Sequence, residues 1–433
     1  RERCVGCGRP KCYSLRPTFR GHRDCRTIIC RDYIYTGDTK TAIDTSFQIE
    51  KIESWHLKFD GGYWEEYKRD SGGVKTGRFE FHPGWQTVYA SSVEVGITRV
   101  TLADGSQGWG EPNTTIGPEV YCLILNNLVA QMVEGREYGS PMELWDFLYD
   151  AQRGRGYLSG FWLDALAGLD IAVWDAIGKR EKTPVHEIFG RPVRESIPVY
   201  LSGIRRATIE ERVDYGNEWV DGGLTGAKIF LNGDVDDGLK ELEALKAGVA
   251  GIEKWMVDVL WMLRGDNGPA AKQAFADLGA IFLECPLQPE DLDGHRALWK
   301  EPGAPIALGE HFRTSYQLHD WVSGDRALDV YQPDIGRTGI SDGLRQLDRA
   351  WGAGLDATIH MGSGSAIFQA ATFAVSSVCK PTHLQEYQAG LTGKTGDAVR
   401  TSWNYADGKV SISDEPGLGI EVNIDALESF VVR

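Results

Sequence analysis

The chain has 433 residues, 42% hydrophobic and 25% charged, an ordinary globular composition long enough for two domains. Its formal net charge of −16 makes nucleic acid and anionic membrane poor partners. No apolar run reaches the roughly 18 residues of a membrane span, and no signal peptide opens the chain, so no membrane association is expected.

Residues 1–42 differ from everything after them. They are basic, lack a clear period and hold Cys4, Cys7, Cys12, Cys25 and Cys30, whereas Cys122, Cys285 and Cys379 serve the rest of the chain. The segment is read as an atypical Cys-rich extension, or as residues added upstream of the true start. Cys4-Val-Gly-Cys7 has a spacing at which two thiolates share a metal, but the later spacings match no finger pattern. A main body so poor in cysteine suits a reducing cytoplasm. Further on, residues 59–87, "FDGGYWEEYKRDSGGVKTGRFEFHPGWQT", form a long aromatic, Gly-rich stretch of the kind that tends to be functional or mobile.

From Val199 onward, short β-rich runs alternate with amphipathic segments. The runs are residues 199–204, 226–231, 254–260, 280–287, 305–312, 328–334, 356–362 and 383–388. Intervening stretches such as "DDGLKELEALKAGV" carry helical periodicity with Gly near the end as a stop. This alternation implies parallel strands joined by right-handed crossovers. Eight such units predict a (β/α)₈ barrel, with an open doubly wound sheet as the alternative.

Three of these runs end on a carboxylate at one interval of 26 residues: Asp258, Glu284 and Glu310. One strand–helix unit takes about that length, so the three acids stand together on the carboxyl rim of consecutive strands, where barrels carry active sites. Converging carboxylates repel unless a cation joins them, and an all-oxygen set points to a hard divalent ion, best Mg²⁺. The bland alternative is three solvated loop acids. Continuing the count puts Asp334, His360 and Glu386 on the sixth, seventh and eighth strands. Asp334 could accept from the His360 ring and set its tautomer, making a base. Lys228, at the end of the second strand, needs an anion: a substrate carboxylate, or one of the rim acids in a structural ion pair. His311 is expected on the other strand face, and His295 and His319 on solvated helices.

Taken together, these residues resemble the enolase superfamily, in its mandelate-racemase-like branch. The resemblance runs from about Thr45 to the end: "SSVEVGITRVTLADGSQGWGEPN" is similar to the family's capping hairpin, "LDALAGLDIAVWDAIGKREKTPVHEIFG" to the helix entering the barrel, and "DGKVSISDEPGLGIEV" to the returning tail. It implies a modified (β/α)₈ barrel closed by an α+β cap, with the cap at 43–175, the barrel at 176–398 and the tail at 399–433. It implies one Mg²⁺ per subunit on Asp258, Glu284 and Glu310, and a general-base dyad of His360 and Asp334. Glu386 would hydrogen-bond the substrate carboxylate as its charge builds, and Lys228 is a candidate for proton return. The reaction implied is abstraction of the proton α to a carboxylate through an enediolate; family analogy also implies a homo-oligomer.

The sequence departs from the racemases, whose second strand ends Lys-x-Lys; here it reads Lys228-Ile229-Phe230, and Leu260 stands where relatives often have a polar residue. One-base chemistry is therefore expected, first of all dehydration of an aldonate or aldarate to a 2-keto-3-deoxy acid. A cycloisomerase or epimerase of a sugar acid or lactone is the rival reading, and a non-catalytic sugar-acid-binding protein another. A carboxylate–metal hydrolase would want more His ligands. For specificity, His82, Trp85, Arg78 and Tyr63 are candidates to meet substrate hydroxyls or to form a small cap core. Arg337 could pair with a distal carboxylate or sit in a surface salt bridge.

Overall fold

The computed structural model describes residues 43–433 except 60–72, 84–86, 265, 381, 390–394 and 397. The Cys-rich opening segment, Tyr63 and Trp85 lie outside the described residues.

Eight short strands carry the scaffold: Ser196–Ser202, Gly226–Phe230, Lys254–Asp258, Ala280–Glu284, Ile306–Leu308, Val330–Tyr331, Asp356–Ala357 and Gln385–Tyr387. They are numbered first to eighth below. Each of the first six pairs in parallel with the next, and the eighth pairs with the first, Gln385 opposite Val199. Side chains join the seventh to the eighth. Thr358 Oγ1 donates to the Leu384 carbonyl at 2.9 Å, Gln385 Nε2 donates to the Ile359 carbonyl at 2.7 Å, and Ile359 N donates to Gln385 Oε1 at 3.2 Å. A ring in this order is a closed barrel, which removes the open-sheet alternative.

Successive strand side chains alternate between barrel interior and helix layer. Tyr200, Met256, Phe282, Ala307, Val330 and Leu384 cluster inside. Their neighbours Leu201, Val257, Leu283 and Leu308 pack outward under the helices. Two residues beyond Met256 stands Asp258, and two beyond Phe282 stands Glu284. Each acid thus occupies the inward column one layer nearer the carboxyl end, and the apolar plug is its floor.

Polar caps turn the chain back after several of the strands. Thr208 with Glu211 and Thr314 with Gln317 form capping boxes, while Asp234 and Asp291 accept from the third residue of their helices. Each is worth about 1 kcal/mol and together they keep the rim loops short.

The cap is a four-stranded sheet in which Phe47–Phe59 lies between Glu137–Tyr138 and Val93–Leu102, with Gln107–Gly110 at the far edge. Helix Phe161–Arg180 lies directly on Gln107–Gly110. A Cβ on Gly108 would stand 2.1 Å from the Ala172 carbonyl oxygen, and one on Gly110 2.0 Å from that of Gly168. Asp175 of this helix accepts from Trp109 N and Leu418 N, both at 2.8 Å, and so ties cap, helix and tail. A separate three-stranded sheet, Val74–Thr76, Phe79–His82 and Thr87–Ala90, begins in the aromatic stretch and ends just after it. The tail first joins the barrel, Lys409–Ser411 pairing antiparallel with the start of the first strand. Its last residues then reach the cap, where Val432 N donates to the His56 carbonyl.

Candidate active site

The third, fourth and fifth strands bring Asp258, Glu284 and Glu310 side by side. Asp258 and Glu284 end their strands in register. Glu310 follows Gly309, whose φ of 147° and lack of space beside the Tyr331 ring (2.7 Å) require glycine. Asp258 Oδ1 accepts from Leu260 N at 2.9 Å. Glu284 accepts from Lys228 Nζ at 2.7 Å on one oxygen and from Gln332 Nε2 at 2.8 Å on the other. Glu310 Oε2 lies 2.8 Å from His360 Nε2.

The potential ligand atoms form two overlapping groups, Asp258–Glu284–Cys285 and Glu284–Glu310–His360, each within 4.8 Å, with Glu284 common to both. Burial, reinforced by the neighbouring Glu284 charge, raises Asp258 well above its ordinary value, and burial raises Glu284 as well. At Glu310 burial acts in the same sense, but His360, Arg337 and Lys228 outweigh it and hold the carboxyl low. Burial pushes the Cys285 thiol well up, so it stays protonated and the ionised donors are oxygens. Crowded, buried carboxylates with this donor chemistry fit a hard divalent cation such as Mg²⁺, which would relieve their repulsion.

His360 leaves the seventh strand beside Asp334, the two joined by a backbone bridge. Its Nδ1 lies 2.7 Å from Asp334 Oδ2, and the same oxygen accepts from Asn113 Nδ2 at 2.7 Å. An Asp334 carboxylate places the ring proton on Nδ1 and leaves Nε2 as the basic nitrogen. Burial alone would lower the imidazole pKa, but Glu310, Glu386 and Asp334 outweigh it and raise it well above the usual value. Asn113 comes from the cap, and its N also donates to the Gly336 carbonyl at 2.9 Å. Two residues before it, Glu111 accepts from Ser365 N and Phe368 N, at the start of the helix that follows His360.

A cavity of about 170 Å³ opens over this rim. Asp258, Glu310, His360 and Glu386 face it from the acidic and basic strands. Arg205, Arg206 and Arg212 line the side beyond the first strand, with Phe230 and Leu260 adding apolar wall. From the cap come Tyr89, Asn113 and Thr115. Glu386 accepts from Ser202 Oγ at 2.6 Å and Met361 N at 2.8 Å and pairs with Lys228 at 2.7 Å. Burial works against its charge, yet Lys228 and His360 outweigh burial and hold it below the ordinary carboxylate value.

Several expectations change. Lys228 is 1% exposed and lies off the cavity wall, bonded to Glu284 and Glu386. The ion-pair alternative is thus what the structure shows, and burial of the ammonium is outweighed by the two acids, which raise its pKa well above normal. His82 does not reach the cavity: it is 1% exposed and packs edge-on against Tyr89, which takes the place at the wall. Strand alternation from residue 87 puts Tyr89 there, a cue obscured by the irregular composition of the stretch. Arg78 pairs with Glu94 and Glu119 away from the site. Arg337 lines the cavity, but its Nη1 donates to the Glu310 carbonyl at 2.8 Å, so it braces a rim acid. His295 is fully buried rather than solvated, its Nδ1 2.7 Å from the Asp291 carbonyl, while His319 is exposed as expected. His311 packs among Trp261, Phe312 and Trp321, away from the cavity. Asn113, Gln332, Arg205 and Arg206 went unforeseen because each stands on a loop or off the 26-residue count.

Residues 81–190 match the model of the mandelate racemase / muconate lactonizing enzyme N-terminal domain, and residues 211–426 that of the enolase C-terminal domain-like family. The chain is 27% identical over 350 residues to D-galactarolactone cycloisomerase of Agrobacterium fabrum (strain C58), covering 77% of this chain and 90% of that protein. It is 26% identical over 347 residues to 3,6-anhydro-alpha-L-galactonate cycloisomerase of Streptomyces coelicolor A3(2), covering 78% and 92%. A crystal structure of an enolase-superfamily member from Agrobacterium tumefaciens superposes with a TM-score of 0.83 at 27% identity, over 90% of this chain and all of that one. With both domain models matched, over residues 81–190 and 211–426, the chain belongs to the enolase superfamily, in its mandelate-racemase-like branch.

Proposed function

We propose that this enzyme is a divalent-cation-dependent isomerase that opens a ring in a sugar acid, a cycloisomerase rather than a hydro-lyase. The observation that carries the reading is the one-sidedness of the site among the described residues. His360, backed by Asp334 at 2.7 Å, is a base on one flank, while Lys228 is tied into two ion pairs beneath the cavity and Phe230 and Leu260 line the wall beyond it. One base suits proton abstraction followed by β-elimination; interchange of two stereoisomers by direct protonation on the opposite face would want a second.

Asp258, Glu284 and Glu310 would hold the cation, most simply Mg²⁺, whose charge offsets that of the enediolate. His360 Nε2 takes the α-proton, and Asp334 with Asn113 keeps the ring in the tautomer that can do so. Glu386, kept ionised by Lys228, braces that lysine and the adjoining strand ends. Elimination of a β-hydroxide, the dehydration expected from the sequence, needs an acid to protonate the leaving oxygen. A lactone whose ring oxygen stands on the β-carbon releases a carboxylate and needs none, because that oxygen leaves as a weak base. The curated relatives at 27% and 26% identity are both cycloisomerases, which supports the isomerase reading over the lyase.

The test uses the magnesium-loaded protein with sugar-acid lactones, anhydroaldonates and open-chain aldonates in D₂O, following α-deuterium exchange and 2-keto product together. Ring-opened keto product isomeric with the substrate, lost by roughly a thousandfold in His360→Asn, is the expected result. Keto product from open-chain acids with loss of water would restore the hydro-lyase.

A further inference from the structure

The inward side chains of a (β/α)₈ barrel stack in layers of four, each layer drawn from alternate strands. One layer above Phe282, Val330 and Leu384 of the apolar plug, the second, fourth and eighth strands supply Lys228, Glu284 and Glu386, and Gln332 follows directly on the sixth. All four are at most 1% exposed. They form a chain of polar contacts: Glu386 to Lys228 at 2.7 Å, Lys228 to Glu284 at 2.7 Å and Gln332 to Glu284 at 2.8 Å. A polar layer inside a barrel is costly unless each member has a task, and the task of the uncharged one is open.

Lys228 is shared between Glu284 and Glu386, so its charge offsets each only in part. Gln332 gives Glu284 a second donor that carries no charge. The carboxylate must face the amide nitrogen, which turns Oε1 elsewhere, and among the described residues that buried oxygen has no hydrogen-bond partner. A methionine would fill the position without orphaning an oxygen, so packing does not account for the glutamine. What the amide adds is a fixed Glu284: one oxygen accepts from Lys228 Nζ and the other from Gln332 Nε2, whereas Asp258 is held through Oδ1 by Leu260 N. An ionised carboxylate oxygen accepts along two directions, so each oxygen of Glu284 keeps a lone pair for a cation.

We infer that Gln332 is a positioning residue for the rim cation: by holding Glu284 without neutralising it, Gln332 raises affinity for a small divalent ion and selects magnesium over calcium. This rests on the cation-dependent reading of the site. Glu284 is common to both groups of potential ligand atoms, so its orientation governs either. Magnesium demands near-ideal octahedral geometry, whereas calcium accepts more oxygens at longer and more variable distances. Freedom of Glu284 to turn therefore harms magnesium more than calcium. Electrostatics alone predicts the opposite sign, because a carboxylate that loses a hydrogen-bond donor keeps more charge on its oxygens and would bind both ions more tightly.

The experiment measures magnesium and calcium binding by calorimetry to the chelator-stripped full chain, wild type and Gln332→Met, beside the thermal midpoint of each without cation. Gln332→Met should weaken magnesium binding about ten- to a hundredfold, the usual effect of removing a partner of a metal ligand, and calcium binding far less. The cation-free midpoint should move little, because the donor lost to Glu284 and the orphaned oxygen removed with it offset one another. Unchanged or tighter magnesium binding, or equal losses for the two ions whatever the midpoint, would overturn the positioning role while leaving the rim a cation site. A wild type that binds no magnesium would overturn both. Should Gln332→Met fail to fold, Gln332→Asn, which keeps the amide but is one methylene shorter and loses the contact with Glu284, is expected to show the same loss with the same preference between ions.

Discussion

Asp334 Oδ2 receives two donors at 2.7 Å, the His360 ring and the Asn113 amide, one from the barrel and one from the cap. The amide fixes the carboxylate that fixes the imidazole, so Asn113 is a positioning residue for the base. Asn113→Ala should lower kcat about tenfold, the usual cost of losing a hydrogen bond to a charged group, with KM changed far less. It should also move the pH profile of α-exchange, which a purely structural defect would not shift; an unchanged profile with raised KM would assign Asn113 to substrate contact instead.

Two features of whole elements govern the cap's attachment. Strand Gln107–Gly110 can approach helix Phe161–Arg180 only because Gly108 and Gly110 lack side chains there. Gly110→Ala forces a methyl group against backbone and should destabilise the fold by about 2–3 kcal/mol in urea unfolding. The strand continues into Glu111, which caps the helix after His360 through Ser365 and Phe368. Burial pushes this carboxyl up to about 7 despite those hydrogen bonds. Because its folded value lies above the ordinary 4.5, its contribution to stability is fully present below pH 4.5 and is lost as the pH rises to about 7. Glu111→Gln should therefore flatten the decline in unfolding free energy between pH 4.5 and 7. Asp170, also pushed to about 7 by burial, accounts for slope that remains in the same window.

At the scale of the molecule, the rim acids come from three strands, so a cation binding them staples three βα units at once. A ligand that binds the folded state alone stabilises it by about 2.7 kcal/mol at a hundred times its Kd. Magnesium should raise the thermal midpoint accordingly, chelation should reverse the rise, and Glu284→Gln should abolish it. An identical midpoint with and without magnesium in the wild type would remove the cation from this rim.

Asp258, Glu284 and Glu310 were legible in the sequence because a strand–helix unit has nearly constant length and an apolar run marks where each strand ends. Local periodicity therefore carried the barrel, its acidic rim and the His360–Asp334 pair. The same cues could not assign Lys228, since a lysine inside a barrel reads alike whether its anion is substrate or a neighbouring glutamate; Glu284 and Glu386 lie 56 and 158 positions away from it. Asn113 reaches Asp334 across 221 residues, and Gln388 meets Arg205 across 183. No period records such contacts. They arise only when cap, loop and barrel close on one cavity, because a side chain's charge partner is set by distance in space and its strand position by distance along the chain.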